Sequence, residues 1–160
     1  MKKLATFAAL ILFCIAGFAK DLSGNYYVAS TGEKLYCKKI QVGARNIKAV
    51  LENGQEVTVP TAQIKMYSLN GKTFEKLPVY MDGKFSKEHR FMEFVTTRAG
   101  LKLYKYSKYM EGYDKTSGAY MGITKVDYYQ VFKGDEFYVE VTDRNYQTLF
   151  EFFRIKVVES

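Results

Sequence analysis

The sequence has 160 residues, with 24 lysines and arginines against 17 aspartates and glutamates, one histidine, two cysteines and no tryptophan. That length suits one ordinary domain, and so few His and Cys residues exclude the clustered ligands of a metal site. The positive balance is mild and dispersed; it favours acidic surfaces such as anionic headgroups or polyanionic glycans without naming one.

The chain opens with MKKLATFAALILFCIAGFAKDLSG. Lys2 and Lys3 precede an uncharged apolar run from Leu4 to Phe18, and Gly17 and Ala19 occupy the small-residue positions before a cut ahead of Lys20. This is the pattern of a secretory signal peptide. The run is shorter than the roughly 20 apolar residues of a membrane span. Cys14 follows Phe13, where a lipid-modified cysteine follows a small residue, so lipoprotein anchoring is not expected. The reading is a leader over 1–19 and a single β-rich domain over 20–160, exported to the periplasm or beyond, with no transmembrane segment in the mature chain. The domain keeps 141 residues, a charge of +5 and one cysteine. It is large enough to bury well over half of its unfolded surface, and Cys37, in the strand-like run LYCKKI, is expected to be buried.

Through the mature chain, short apolar-alternating runs are separated by two-residue turn signals. In IKAVLENGQEVTVP, Ile47, Ala49 and Leu51 alternate up to Asn53-Gly54, and Val57 and Val59 continue beyond it. Asn-Gly suits a type I′ hairpin turn, in which both central residues need positive φ. The device recurs at Asn70-Gly71 and Asp82-Gly83. RFMEFVTTR and GLKLYKYSKY read as further strands, and KVDYYQVF and EFYVEVTD flank a hairpin turn at Lys133-Gly134-Asp135. Met110–Lys125, with Gly112, Gly118 and Gly122, reads as the longest loop. Many short, evenly spaced strands predict a mainly β fold, an antiparallel sandwich, roll or small barrel built from hairpins. In the last segment Tyr146, Leu149, Phe150, Phe153 and Val157 fall at helical spacing. A short amphipathic helix is predicted over 144–154 with Asp143 as its N-cap, a final strand over Ile155–Val158 being the alternative.

YSLNG (Tyr67–Gly71), GLKLYKY (Gly100–Tyr106) and DYYQVFKGDE (Asp127–Glu136), followed by the terminal amphipathic segment, give residues 33–155 a pattern. It resembles small exported bacterial β-domains of unknown function. The resemblance implies a fold and carries over no functional residue.

Chemistry-bearing motifs are sparse. His89 stands in FSKEHR, which reads as an exposed loop before a strand. No nucleophile elbow, zinc-protease motif, phosphate loop or dinucleotide fingerprint occurs, and no cofactor or metal is expected. Glu93, Glu140 and Glu151 each lie between apolar neighbours. On a strand such a residue simply points to the other face, although two carboxylates about 5–10 Å apart would serve a hydrolase.

The densest pattern is GLKLYKYSKYMEGY (Gly100–Tyr113), where tyrosines alternate with lysines. Alternation sends Leu101, Leu103 and Lys105 to one side, read as the core, and Lys102, Tyr104 and Tyr106 to the other. The second side is then either a half-wet hairpin face, paired with Tyr128 and Tyr129, or a binding platform. Lys102, Tyr104, Lys105, Tyr106 and Tyr109 are the candidate ligand-binding residues. Basic grooves with stacking aromatics also read single-stranded nucleic acid, but export argues against that ligand. The expectation is a non-enzymatic binding module whose partner is an envelope protein or glycan. The alternatives are a small carboxylate-dependent hydrolase, or a structural accessory subunit whose exposed strand edge pairs with another chain.

Overall fold

The computed structural model describes residues 24–81 and 83–156; the expected leader with Cys14, and Asp82 of the expected Asp82-Gly83 turn, lie outside them. The strands are β1 (Tyr26–Ala29), β2 (Lys34–Val42), β3 (Asn46–Leu51), β4 (Glu56–Pro60), β5 (Ile64–Leu69), β6 (Lys72–Met81), β7 (Lys84–Arg98), β8 (Leu101–Tyr113), β9 (Tyr120–Lys133) and β10 (Glu136–Glu140). One helix, α1 (Tyr146–Phe153), follows them. The mainly β, antiparallel architecture with a short C-terminal helix is thus the one the chain adopts. It is a single sheet in the order β10-β9-β8-β7-β6-β5-β1-β2-β3-β4, with β10 and β4 as outer edges, so it is not closed into a barrel. No helix among the described residues is long and apolar enough to cross a membrane.

Turn chemistry sets the register, though not everywhere as expected. Asn70 and Gly71 both take positive φ (53° and 77°) between the paired Leu69 and Lys72, as a type I′ turn requires. Ala99 and Gly100 do the same between Arg98 and Leu101, a turn with no Asn to announce it. At Asn53-Gly54 only Gly54 is positive; the last pair is Val50 with Glu56, and the longer loop closes through Leu51 N–H donating to Gln55 O at 2.8 Å. Asn53 Oδ1 accepts from Gln55 N–H instead, the local bonding for which Asn is favoured in turns.

Residues directly opposite each other share a sheet face, and the register places the main cores on opposite faces. Tyr67 stands opposite Phe74 on one face, where Tyr27, Cys37, Ile40, Ile47, Ala49 and Ile64 join it. Met92 opposite Glu75, and Tyr104 opposite Phe94, lie on the other, where Leu77, Val79, Tyr106 and Phe132 gather. Here the sheet curls enough for Tyr80 of β6 to stack on Phe137 of β10 at 4.0 Å. Gln130 of β9, fully buried, closes the curl from within: its Nε2 donates to Tyr80 O, and its Oε1 accepts from Tyr80 N–H. A side-chain amide thereby stands in for a missing ladder partner, satisfying a buried peptide group that would otherwise cost about 1–3 kcal/mol per orphaned atom.

The helix covers a third cluster, with Phe153 on Leu103 and Val131. Its N-cap is Asn145 rather than Asp143, and Asn145 Oδ1 accepts from Thr142 N–H while its Nδ2 donates to Glu140 O. Arg154, in the left-handed conformation at φ 57°, ends it. Ile155 and Lys156 form no strand, and 157–160 lie outside the described residues.

Candidate functional site

Strands β8 and β9 remain paired from Leu101↔Lys133 out to Tyr113↔Tyr120. The segment Met110–Lys125, expected as a loop, is therefore mostly ladder, turned by Asp114, whose Oδ1 accepts from the N–H groups of Thr116 and Ser117. Glycine content suggested a loop, but Gly112 and Gly122 stand opposite each other inside the ladder. By contrast, β7 pairs with β8 only from Arg98↔Leu101 to Glu93↔Lys105. Beyond that point the sheet forks. The N-terminal half of β7 stays with β6, and Tyr106–Tyr113 leaves with β9 as a two-stranded arm. Along the arm Tyr109, Met110, Tyr113, Tyr120, Met121 and Ile123 are exposed.

The five candidate residues fall into different settings. Tyr104 and Tyr106, read as one face of a hairpin open to solvent on that side, are only 1% and 4% exposed. Alternation itself is kept: Leu103 faces the helix and Tyr104 the opposite core. Both faces are covered, one by α1 and the other by the sheet's own curl, so neither is wet. Tyr104 meets Phe94 and Phe132 edge-on and donates its hydroxyl to Glu75 Oε2 at 2.8 Å. Tyr106 stacks on its cross-strand partner Tyr128, ring centroids 5.2 Å apart and 15° from parallel. Lys105, on the helix side as expected, lies between two carboxylates, 3.6 Å from Glu93 and 3.7 Å from Asp127. Glu93 also holds Lys72 at 2.9 Å. Lys102 lines a hollow of about 400 Å³ beside Glu75 and Asp135. Tyr109 stands out on the arm, 74% exposed.

The fork itself forms a cleft of about 420 Å³ between Glu88–Phe91 of β7 and Tyr106–Ser107 of β8. Lys76, Thr61 and the β2–β3 turn at Gly43 and Ala44 complete its wall. His89, expected in a loop, is an exposed strand residue on this wall, paired with Pro78. Lys76 is anchored by donating from Nζ to Thr61 O at 3.1 Å. Glu88 accepts from Arg90 Nη2 at 2.8 Å, and that bond holds its carboxyl below the usual carboxylate range. Lys108 reaches over the Tyr106–Tyr128 pair, 5.9 and 5.5 Å from the two ring centres.

Two residues lining this cleft each hold one incomplete atom. Arg90 Nε and the Tyr106 hydroxyl are shielded from solvent and have no hydrogen-bond partner; no other side-chain atom among the described residues shares that condition. Buried polar groups are hydrogen-bonded in the great majority of cases, so each exception asks for a reason. Desolvation, then the carboxylate of Glu140, pushes the Tyr106 phenol up to about 12, so it keeps its proton and acts as a donor. Two unused donors thus lie behind the wall of the cleft. The sequence pointed to Tyr106 through the Tyr/Lys alternation but missed Arg90. The signal for it was phase: Arg90 lies two residues before Met92 and four before Phe94, which puts a guanidinium on the apolar side of its strand. The chain matches no protein-family model, no curated protein and no solved structure.

Proposed function

We propose that the chain is an exported, non-enzymatic binding module of the bacterial cell envelope, which takes its partner, a protein or a glycan, at the fork between β7 and β8. The unsatisfied pair Arg90 Nε and Tyr106 Oη carries the proposal. Each such buried group costs about 1–3 kcal/mol in the free protein, and a ligand bringing oxygen acceptors to both recovers that cost. Glu88 supports binding over proton transfer: tied to Arg90, it is an ionised orienting partner near neutral pH. Export rests on the leader reading of residues 1–19.

The test compares the exported protein with Arg90→Gln and Tyr106→Phe variants in capture from envelope extract. The parent recovers a component that both variants lose, although each variant still folds cooperatively and Tyr106→Phe melts no lower than the parent. Equal recovery by parent and variants would remove the fork from the function. Mass spectrometry of the released protein checks the leader, with a start at or near Lys20 expected.

A further inference from the structure

The fork joins a donor site to a strand edge with no ladder partner. Past Glu93↔Lys105, β8 pairs on one side only, so the backbone edge of Tyr106–Tyr113 facing β7 carries no ladder. This edge starts at Tyr106, beside Arg90, and runs outward past Tyr109, Met110 and Tyr113, all exposed. Two-stranded ribbons are marginal in water, and a third strand supplies what they lack. Open edges of this kind accept extended peptides, whose main chain continues the ladder while alternate side chains find their own contacts.

We infer that the fork takes an extended, acidic peptide segment of a partner protein, which adds as a strand to the open edge of β8 and places a carboxylate on Arg90 Nε and the Tyr106 hydroxyl. The inference rests on the fork being the binding site. Charge favours an acid: among the residues lining the cleft Lys76 and Arg90 outnumber Glu88, and Lys108 beside Tyr106 is offset by the Glu140 carboxylate that Tyr106 also feels. Both incomplete groups are donors, one of them on a guanidinium, and a carboxylate accepts from such a donor through a charge-assisted bond roughly twice as strong as one to a neutral carbonyl. Reaching them requires β7 and β8 to part slightly. No ladder bond crosses the fork beyond Glu93–Lys105, so parting breaks none. A peptide is favoured over a glycan because only a peptide also uses the unpaired strand edge.

Panning a linear-peptide display library against the exported protein tests this. Enriched sequences should alternate β-branched or aromatic residues and carry an acidic one. A synthetic peptide of the enriched sequence should bind the parent less tightly as salt rises, and about tenfold or more weakly to Arg90→Gln. Tyr106→Phe, which keeps the ring stack, should also weaken it, and binding should slow amide exchange across Tyr106–Tyr113. Enriched peptides without an acidic residue, or protection confined to β4 or β10, would overturn the inference. Carboxylated glycans bound on an array in an Arg90-dependent way, with no peptide enriched, would leave the fork standing and overturn the peptide. Binding indifferent to both Arg90→Gln and Tyr106→Phe would overturn the fork itself.

Discussion

Tyr104→Phe and Tyr106→Phe remove the same atom from the same strand, two residues apart, and should change stability in opposite directions. Both rings are buried and both stay packed in the variants, so the hydroxyl alone is tested. At Tyr104 it donates to Glu75 Oε2 at 2.8 Å. Deleting a hydrogen bond to a charged acceptor costs about 1.5–3 kcal/mol, and Glu75 would be left half-buried without that donor. At Tyr106 the hydroxyl is buried with no partner. Deleting an uncompensated buried hydroxyl should return up to about 1–2 kcal/mol, from the desolvation it no longer suffers. With a urea m-value of about 2 kcal/mol/M, the Tyr104→Phe midpoint falls by about 0.7–1.5 M and that of Tyr106→Phe rises by up to about 1 M. Equilibrium urea titrations followed by circular dichroism measure both, unchanged slopes showing that the unfolded states match. Two losses of similar size would refute the reasoning, because Tyr106 would then have a partner in solution and the fork no unused donor.

Gln130→Leu keeps volume but strands the Tyr80 N–H and carbonyl oxygen inside the curl, and the same titration should show a loss of about 2–5 kcal/mol. Tyr67 and Tyr106 are pushed up to about 12 by burial. The folded protein then holds protons that the unfolded chain releases near pH 10, so their stabilisation is intact below about pH 10 and lost as pH rises through about 12. Tyrosinate absorbance and circular dichroism should therefore change together at high pH; complete titration of the tyrosines with the fold intact would contradict this. Cys37 is 0% exposed and its thiol is raised first by burial, so a thiol reagent should label it only as fast as the protein opens. Tyr109→Ser, on the exposed arm, should change stability by no more than about 0.5 kcal/mol.

Local chemistry was legible in the sequence, and closure was not. Val57 and Val59, the Leu103/Tyr104 alternation and the helical spacing of Leu149 and Phe153 each placed an element. Alternation says which side chains share a face, but nothing within a strand says whether a face stays wet. Tyr104 and Tyr106 lost their solvent to residues distant in sequence: Leu77 and Val79 of β6, Phe132 of β9 and Phe137 of β10. Gln130 is the sharper case. In YYQVF it is the single residue that is neither aromatic nor aliphatic, and its role appears only once β6 comes within reach across the curl. Arg90 is comparable, in phase with Met92 and yet part of a charged stretch that reads as surface. The fork was beyond reach altogether, because no residue type encodes where two paired strands stop pairing.

The place where they stop has a physical rationale. The register between β7 and β8 shifts between Phe94 and Thr96, and pairing ends immediately after it, at Glu93↔Lys105. Bulges bend a strand and increase its local twist, and they occur beside functional sites where they terminate pairing. Past this one, β7 stays paired with β6, whose Tyr80 stacks on Phe137, while β8 stays paired with β9. Lys105, bridged to Glu93 and Asp127, fixes the last shared rung on the opposite face. A protein selected for stability alone would have continued the ladder across Arg90 and Tyr106, where both strands are present and long enough. It instead leaves two donors unfilled at the point of divergence, the local conflict on which the proposed binding site rests.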